Sequence, residues 1–136
     1  MDTNTIIMNL QDKLPNDEVL ISNLRQKIED LSNEEKLNFT NKLTLLKLKN
    51  PSTGLAFSAG LGMFAVDRFY VGSYILGVLK LVCCLIFIIN VICYLKGLIV
   101  SIKLVRYFAL IWYFADLFEI PRKIKESNYK KIMSIL

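Results

Sequence analysis

The chain has 136 residues, 54% of them hydrophobic and 21% charged, with three cysteines, no histidine and a formal net charge of +5. That length holds one small domain beside an apolar module and little more. The excess positive charge is not interleaved with aromatics on a foldable surface, which excludes a nucleic-acid partner. Cys83, Cys84 and Cys93 all fall in the most apolar stretch. Without histidine or paired C-x-x-C spacing they define neither a metal site nor a disulfide framework, so no metal and no cofactor is expected.

Charge and hydropathy divide the chain into three parts. Residues 1–50 carry seven Lys/Arg against eight Asp/Glu, residues 51–121 carry five against three, and residues 122–136 carry five against one. The first part mixes polar and apolar residues in soluble proportions, whereas residues 55–120 are almost continuously apolar. Positive charge on both sides of an apolar stretch is the signature of a membrane edge.

Residues 1–50 read as a soluble segment of short amphipathic helices. Residues 1–10 contain an Asp and no basic leader, so no secretory signal is expected. The first apolar segment is then expected to act as a retained, internal insertion signal. Asn16 and Asp17 follow Pro15 as helix caps, and Leu20, Leu24, Ile28 and Leu31 recur at spacings that place them on one helix face. Ser32 and Glu35 stand three apart in the capping-box pattern that starts a second helix. Leu37, Leu43 and Leu46, with Phe39, are its expected apolar side. Lys42, Lys47 and Lys49 then sit where headgroups would be. Fifty residues bury little core alone, so this segment is a candidate docking module for a protein partner.

A membrane module is expected over 51–121. Asn50 and Pro51 form a helix start. The apolar run from Leu55 to Val66 is short against the ~20 residues of a spanning helix, and would have to continue through Asp67–Tyr70. Ala56 with Gly60, and Ser58 with Gly62, are small residues four apart, a spacing that lets helices approach closely in lipid. Tyr74 to Leu95 is long enough to span, with Lys80 its only charge. A third segment, about Leu104 to Ile120, carries Tyr107, Trp112, Tyr113, Asp116 and Glu119, with Lys96, Lys103 and Arg106 marking a polar boundary before it. Pro121 and the basic tail 122–136 close the region.

Asp67-Arg68-Phe69-Tyr70-Val71-Gly72, then Gly77-Val78-Leu79-Lys80-Leu81, then Ile111-Trp112-Tyr113-Phe114-Ala115-Asp116 resemble, in that order, the motifs of TM-two domain proteins of bacteria. In that family paired transmembrane helices are joined by a D-R-F motif. The resemblance implies an all-α fold and marks Asp67, Arg68, Phe69, Tyr70, Gly72, Gly77, Lys80, Trp112 and Asp116 as family-motif positions. The thirty apolar residues from Val82 to Ile111 depart from the family's short, Gly-rich connection. Two to three membrane-embedded helices are therefore expected.

Charges in an apolar region pair or face a polar cavity. Asp116 is expected to pair with Lys80 or Arg68 and lock the segments together. The alternative places each charge at an interface: Asp67 capping the following helix, Arg68 reaching phosphates, and Lys80 snorkelling. No histidine, G-x-S-x-G or phosphate-cradling loop is present, and no enzyme activity is expected. The function expected is a non-enzymatic membrane module for structure or protein interaction, with the bilayer, a homo-oligomer and a protein bound through residues 1–50 as candidate partners. The alternative is an oligomeric pore or membrane-permeabilising protein. Both basic ends prefer the cytoplasmic side of a bacterial inner membrane.

Overall fold

The computed structural model describes residues 3–96 and 103–136, with the side chains of 103–106 not described. All regular structure among the described residues is helical. The α-helices are α1 (Thr3–Leu10), α2 (Glu18–Glu29), α3 (Asn33–Leu45), α4 (Pro51–Leu61), α5 (Val66–Val71), α6 (Tyr74–Leu95) and α7 (Lys103–Met133), with 3-10 turns over Gln11–Lys13 and Gly62–Phe64.

The chain forms two compact units, one of residues 1–51 with 122–136, the other of residues 52–121. The basic tail is thus not a separate appendage: from Arg122 on, α7 belongs to the same unit as the N-terminal helices. In that unit the Asp17 side chain accepts from the backbone of Val19 and Leu20 and starts α2. Ser32 and Glu35 close a full capping box on α3. Ile6, Ile7, Leu10, Leu14, Leu24, Ile28, Phe39 and Ile132 build the core. Phe39 is the buried residue of α3, while Leu37 is 64% exposed and does not share the apolar side expected of it. The sequence reading missed α1, although it supplies much of this core.

In the second unit the first apolar segment does not run on as one helix. It breaks after Leu61 into the 3-10 turn and Ala65, which is buried in the left-handed region at φ 58°. α5 then ends on Gly72 at φ 97°. The Gly72 N–H donates to Phe69 O at 3.1 Å and the Ser73 N–H to Arg68 O at 2.9 Å. This pair of bonds is a Schellman close, which needs a left-handed residue and so favours glycine. Among the described residues, α6 is the helix long and apolar enough to cross a membrane. Gly77, Lys80, Cys84 and Asn90 are its buried positions, whereas Ile75, Leu85, Ile89 and Leu95 lie exposed. So large an apolar surface is costly in water and neutral in lipid.

Pro121 is the last residue of the second unit but does not end the helix. It lies inside α7, which continues to Met133. A proline there forfeits one ladder bond. The continuing helix is held by burial: Asp116, Ile120, Ile124, Asn128 and Ile132, each four residues from the last, are all at most 1% exposed. The polar boundary read at Lys103 and Arg106 lies outside the described side chains.

Candidate functional site: a buried ion-pair network

Four ionisable side chains of the second unit are withdrawn from solvent together: Asp67 (0% exposed), Asp116 (1%), Arg68 (3%) and Lys80 (6%). α5 supplies Asp67 and Arg68, α6 supplies Lys80, and α7 supplies Asp116. Asp116 accepts from both cations, one carboxylate oxygen taking the Arg68 Nη2 and the other the Lys80 Nζ. Lys80 Nζ also donates to Asp67 Oδ2 at 2.9 Å. That same oxygen accepts from the Ser58 hydroxyl at 3.2 Å, which ties in α4. The other Asp67 oxygen accepts the Arg68 backbone N–H at 2.8 Å. Arg68 Nη2 reaches Glu119 Oε2 at 2.5 Å, at the half-exposed edge of the group. Its Nε and Nη1 have no partner among the described residues.

The sum of charge decides what this group costs. A lone ion in an apolar interior is penalised by several kcal/mol even after relaxation. Two carboxylates and two cations cancel within the buried four, and each carboxylate shares its oxygens among several donors. Both pairings considered for Asp116 are made at once. The separate interfacial placements of Arg68 and Lys80 are not: neither side chain reaches the surface. Asp67 lies within α5 and does not cap α6, whose first residue follows Ser73 without a side-chain cap.

The neighbouring motif positions shape the frame. A Cβ on Gly77 would stand 3.0 Å from Cε1 of Phe69, so the ring lies where any larger residue would put its side chain. Tyr70 meets Phe57 edge-on with centroids 5.2 Å apart, joining α5 to α4. Gly62 is buried, with Tyr113 and Asp67 side-chain atoms 3.4–3.6 Å from where its Cβ would lie. The Tyr113 hydroxyl donates to Ala59 O at 2.8 Å. Ala56 and Gly60 are exposed, and nothing lies within 4 Å of a Cβ on Gly60. Gly62 thus makes ordinary van der Waals contact within the unit, whereas Ala56 and Gly60 present an open face among the described residues. Trp112 stacks edge-on with Phe108 at 5.4 Å. Both line an apolar cavity of 410 Å³ with Phe87, Cys83, Cys84 and Lys80.

Two participants lie outside the family-motif positions. Ser58 was read only as a small packing residue, and Glu119 only as a charge near the end of a segment. The spacing of three from Asp116 to Glu119 puts both on one helix face and was the available signal. Among the described residues no group of three or more His, Cys, Asp or Glu side chains is gathered to hold a metal ion.

The one helix among the described residues that is long and apolar enough to cross a bilayer points to a small membrane protein. The TM2 domain model matches residues 47–118, more than half of the chain, and the chain belongs to that family. Comparison with curated proteins and with solved structures gives no match.

Proposed function

We propose that this protein is a non-enzymatic, multi-pass membrane module whose task is structural or protein-interacting, with the buried network as its internal fastener. The observation that carries the reading is the double engagement of Asp116 by Arg68 and Lys80. Every carboxylate oxygen of the buried pair is already committed to a donor. Groups so committed favour holding α4, α5, α6 and α7 together over passing an ion along. The apolar walls of the adjoining cavity point the same way, because a conducting path needs polar lining.

α6 and α7 are the proposed crossings, and the broken α4–α5 segment enters without spanning. Two crossings bring both basic ends to one side, the cytoplasmic side by the positive-inside rule. The exposed Ala56 and Gly60 face is available to a second copy or another membrane helix.

Ion flux from liposomes loaded with the purified protein tests this reading. Tight liposomes support it. Flux that disappears with Asp116→Asn or Lys80→Met overturns it in favour of the pore.

A further inference from the structure

The N-terminal unit carries a groove that the network reading leaves unused. It is an open cavity of 470 Å³ with Leu10, Leu43, Leu46 and Leu48 among its walls and Lys13 and Lys47 as the charged lining residues among those described. Neither lysine forms an ion pair among the described residues.

Further lysines are drawn to the same place by backbone contacts. Asn128 Nδ2 donates to the carbonyls of Lys13 (3.2 Å) and Lys49 (2.8 Å), and Lys131 Nζ donates to Lys47 O at 3.3 Å. Burial, and then the charge of Lys131, hold the Lys49 ammonium below the usual lysine range. The backbone of Lys13 and Lys49 thus meets one buried asparagine, and Lys131 reaches the backbone of Lys47, beside an aliphatic trough.

We propose that this groove binds one anionic phospholipid, its phosphate at the Lys13 and Lys47 ammonium groups and an acyl segment along the leucines. The amphipathic lining matches such a molecule: an apolar wall, a cationic rim and no carboxylate among the described lining residues. The lipid source follows from chain connectivity. Lys47 precedes Pro51 by four residues, so the chain cannot carry it more than about 14 Å from that proline. The TM2 match begins at residue 47 itself, and the second compact unit begins at Ser52. A basic groove tethered that close to a bilayer meets anionic headgroups at high local concentration. The inference rests on the membrane reading above.

The test is native mass spectrometry of the full chain in mild detergent with phosphatidylglycerol or phosphatidylcholine added. One retained phosphatidylglycerol, favoured over phosphatidylcholine and weakened at least about tenfold by K13Q/K47Q, is the expected result. An R25Q/K27Q variant, which removes the same charge from exposed sites on α2, is expected to keep the lipid. Circular dichroism of both variants confirms that the helices persist. Equal retention of the two lipids, or equal loss in both variants, overturns the proposal. So does lysine-dependent binding of an acidic Glu/Leu helical peptide without any lipid preference, which would make the groove a protein-docking site. Alkaline carbonate extraction reports on the membrane reading separately, since the adduct is scored in detergent.

Discussion

Lys80 Nζ lies 2.9 Å from Asp67 Oδ2, and both side chains are buried although thirteen positions separate them. The link turns the short turn between α5 and α6 into a closed, charge-neutral corner. Asp116 completes it from α7, where it answers both Arg68 of α5 and Lys80 of α6.

Removing a single member leaves an uncompensated buried charge. Asp116→Asn is expected to cost about 3–5 kcal/mol, measured as a shift in the denaturation midpoint followed by Trp112 fluorescence in detergent. Combining it with Lys80→Met is expected to cost less than the sum of the single changes, because the second substitution removes the stranded cation. Strict additivity would count against a shared network.

The Phe69–Gly77 contact predicts a steric effect that can be relieved. Gly77→Val is expected to destabilise by about 1–3 kcal/mol through overpacking against the ring. Phe69→Leu in the same chain is expected to recover part of that loss in the same unfolding assay. No recovery would mean that the valine fails for a reason other than the ring.

Gly72 tests conformation without crowding, since a Cβ there meets nothing within 4 Å. Gly72→Ala is expected to cost about 1–2 kcal/mol from the left-handed backbone alone. An unchanged midpoint would show that α5 can close by another turn.

Asn128 joins Lys13, Lys49 and α7 through three hydrogen bonds, its Oδ1 accepting the Lys49 N–H at 3.0 Å. Asn128→Asp keeps that acceptor but sets a carboxylate oxygen against two carbonyls. A loss of about 1–3 kcal/mol is expected, read as earlier proteolysis of the N-terminal segment and tail together. Cleavage unchanged in both would refute the coupling.

The capping box on α3 carries a pH dependence. The backbone N–H and the hydroxyl of Ser32 hold the Glu35 carboxyl below its ordinary 4.5, the backbone bond contributing most. A carboxyl with a lowered folded-state value binds protons more readily when unfolded. Its stabilisation is therefore complete above about pH 4.5 and is lost as pH falls through the folded value. Glu35→Gln is expected to flatten that acid-side slope, while Ser32→Ala costs about 1 kcal/mol at neutral pH. An acid titration of helicity that is identical in wild type and Glu35→Gln would refute the assignment.

Much of this protein was legible in one dimension because the signals are local. The Asp17 cap, the Ser32–Glu35 box, the Pro51 helix start and the long apolar run of α6 with its single charge each act within a few residues or along one helix. The D-R-F-Y, Gly77–Lys80 and Trp112–Asp116 motifs likewise marked which charges to watch.

Tertiary structure decided the rest, where distant residues compete for the same partner or the same core. Sequence alone allowed Arg68 and Lys80 to snorkel to an interface. Only the meeting of α5, α6 and α7 supplied the carboxylates that make burial cheaper than exposure. Pro121 and the basic tail read as the close of the membrane region, yet the helix runs on to Met133 despite the proline's missing N–H. The four-residue stripe from Asp116 to Ile132 outweighs it through burial that no local pattern displays. Ile132 and Asn128 joined the N-terminal core for the same reason. A polar, basic tail shows its charges in sequence, whereas its buried face exists only when helices from the other end of the chain arrive to cover it.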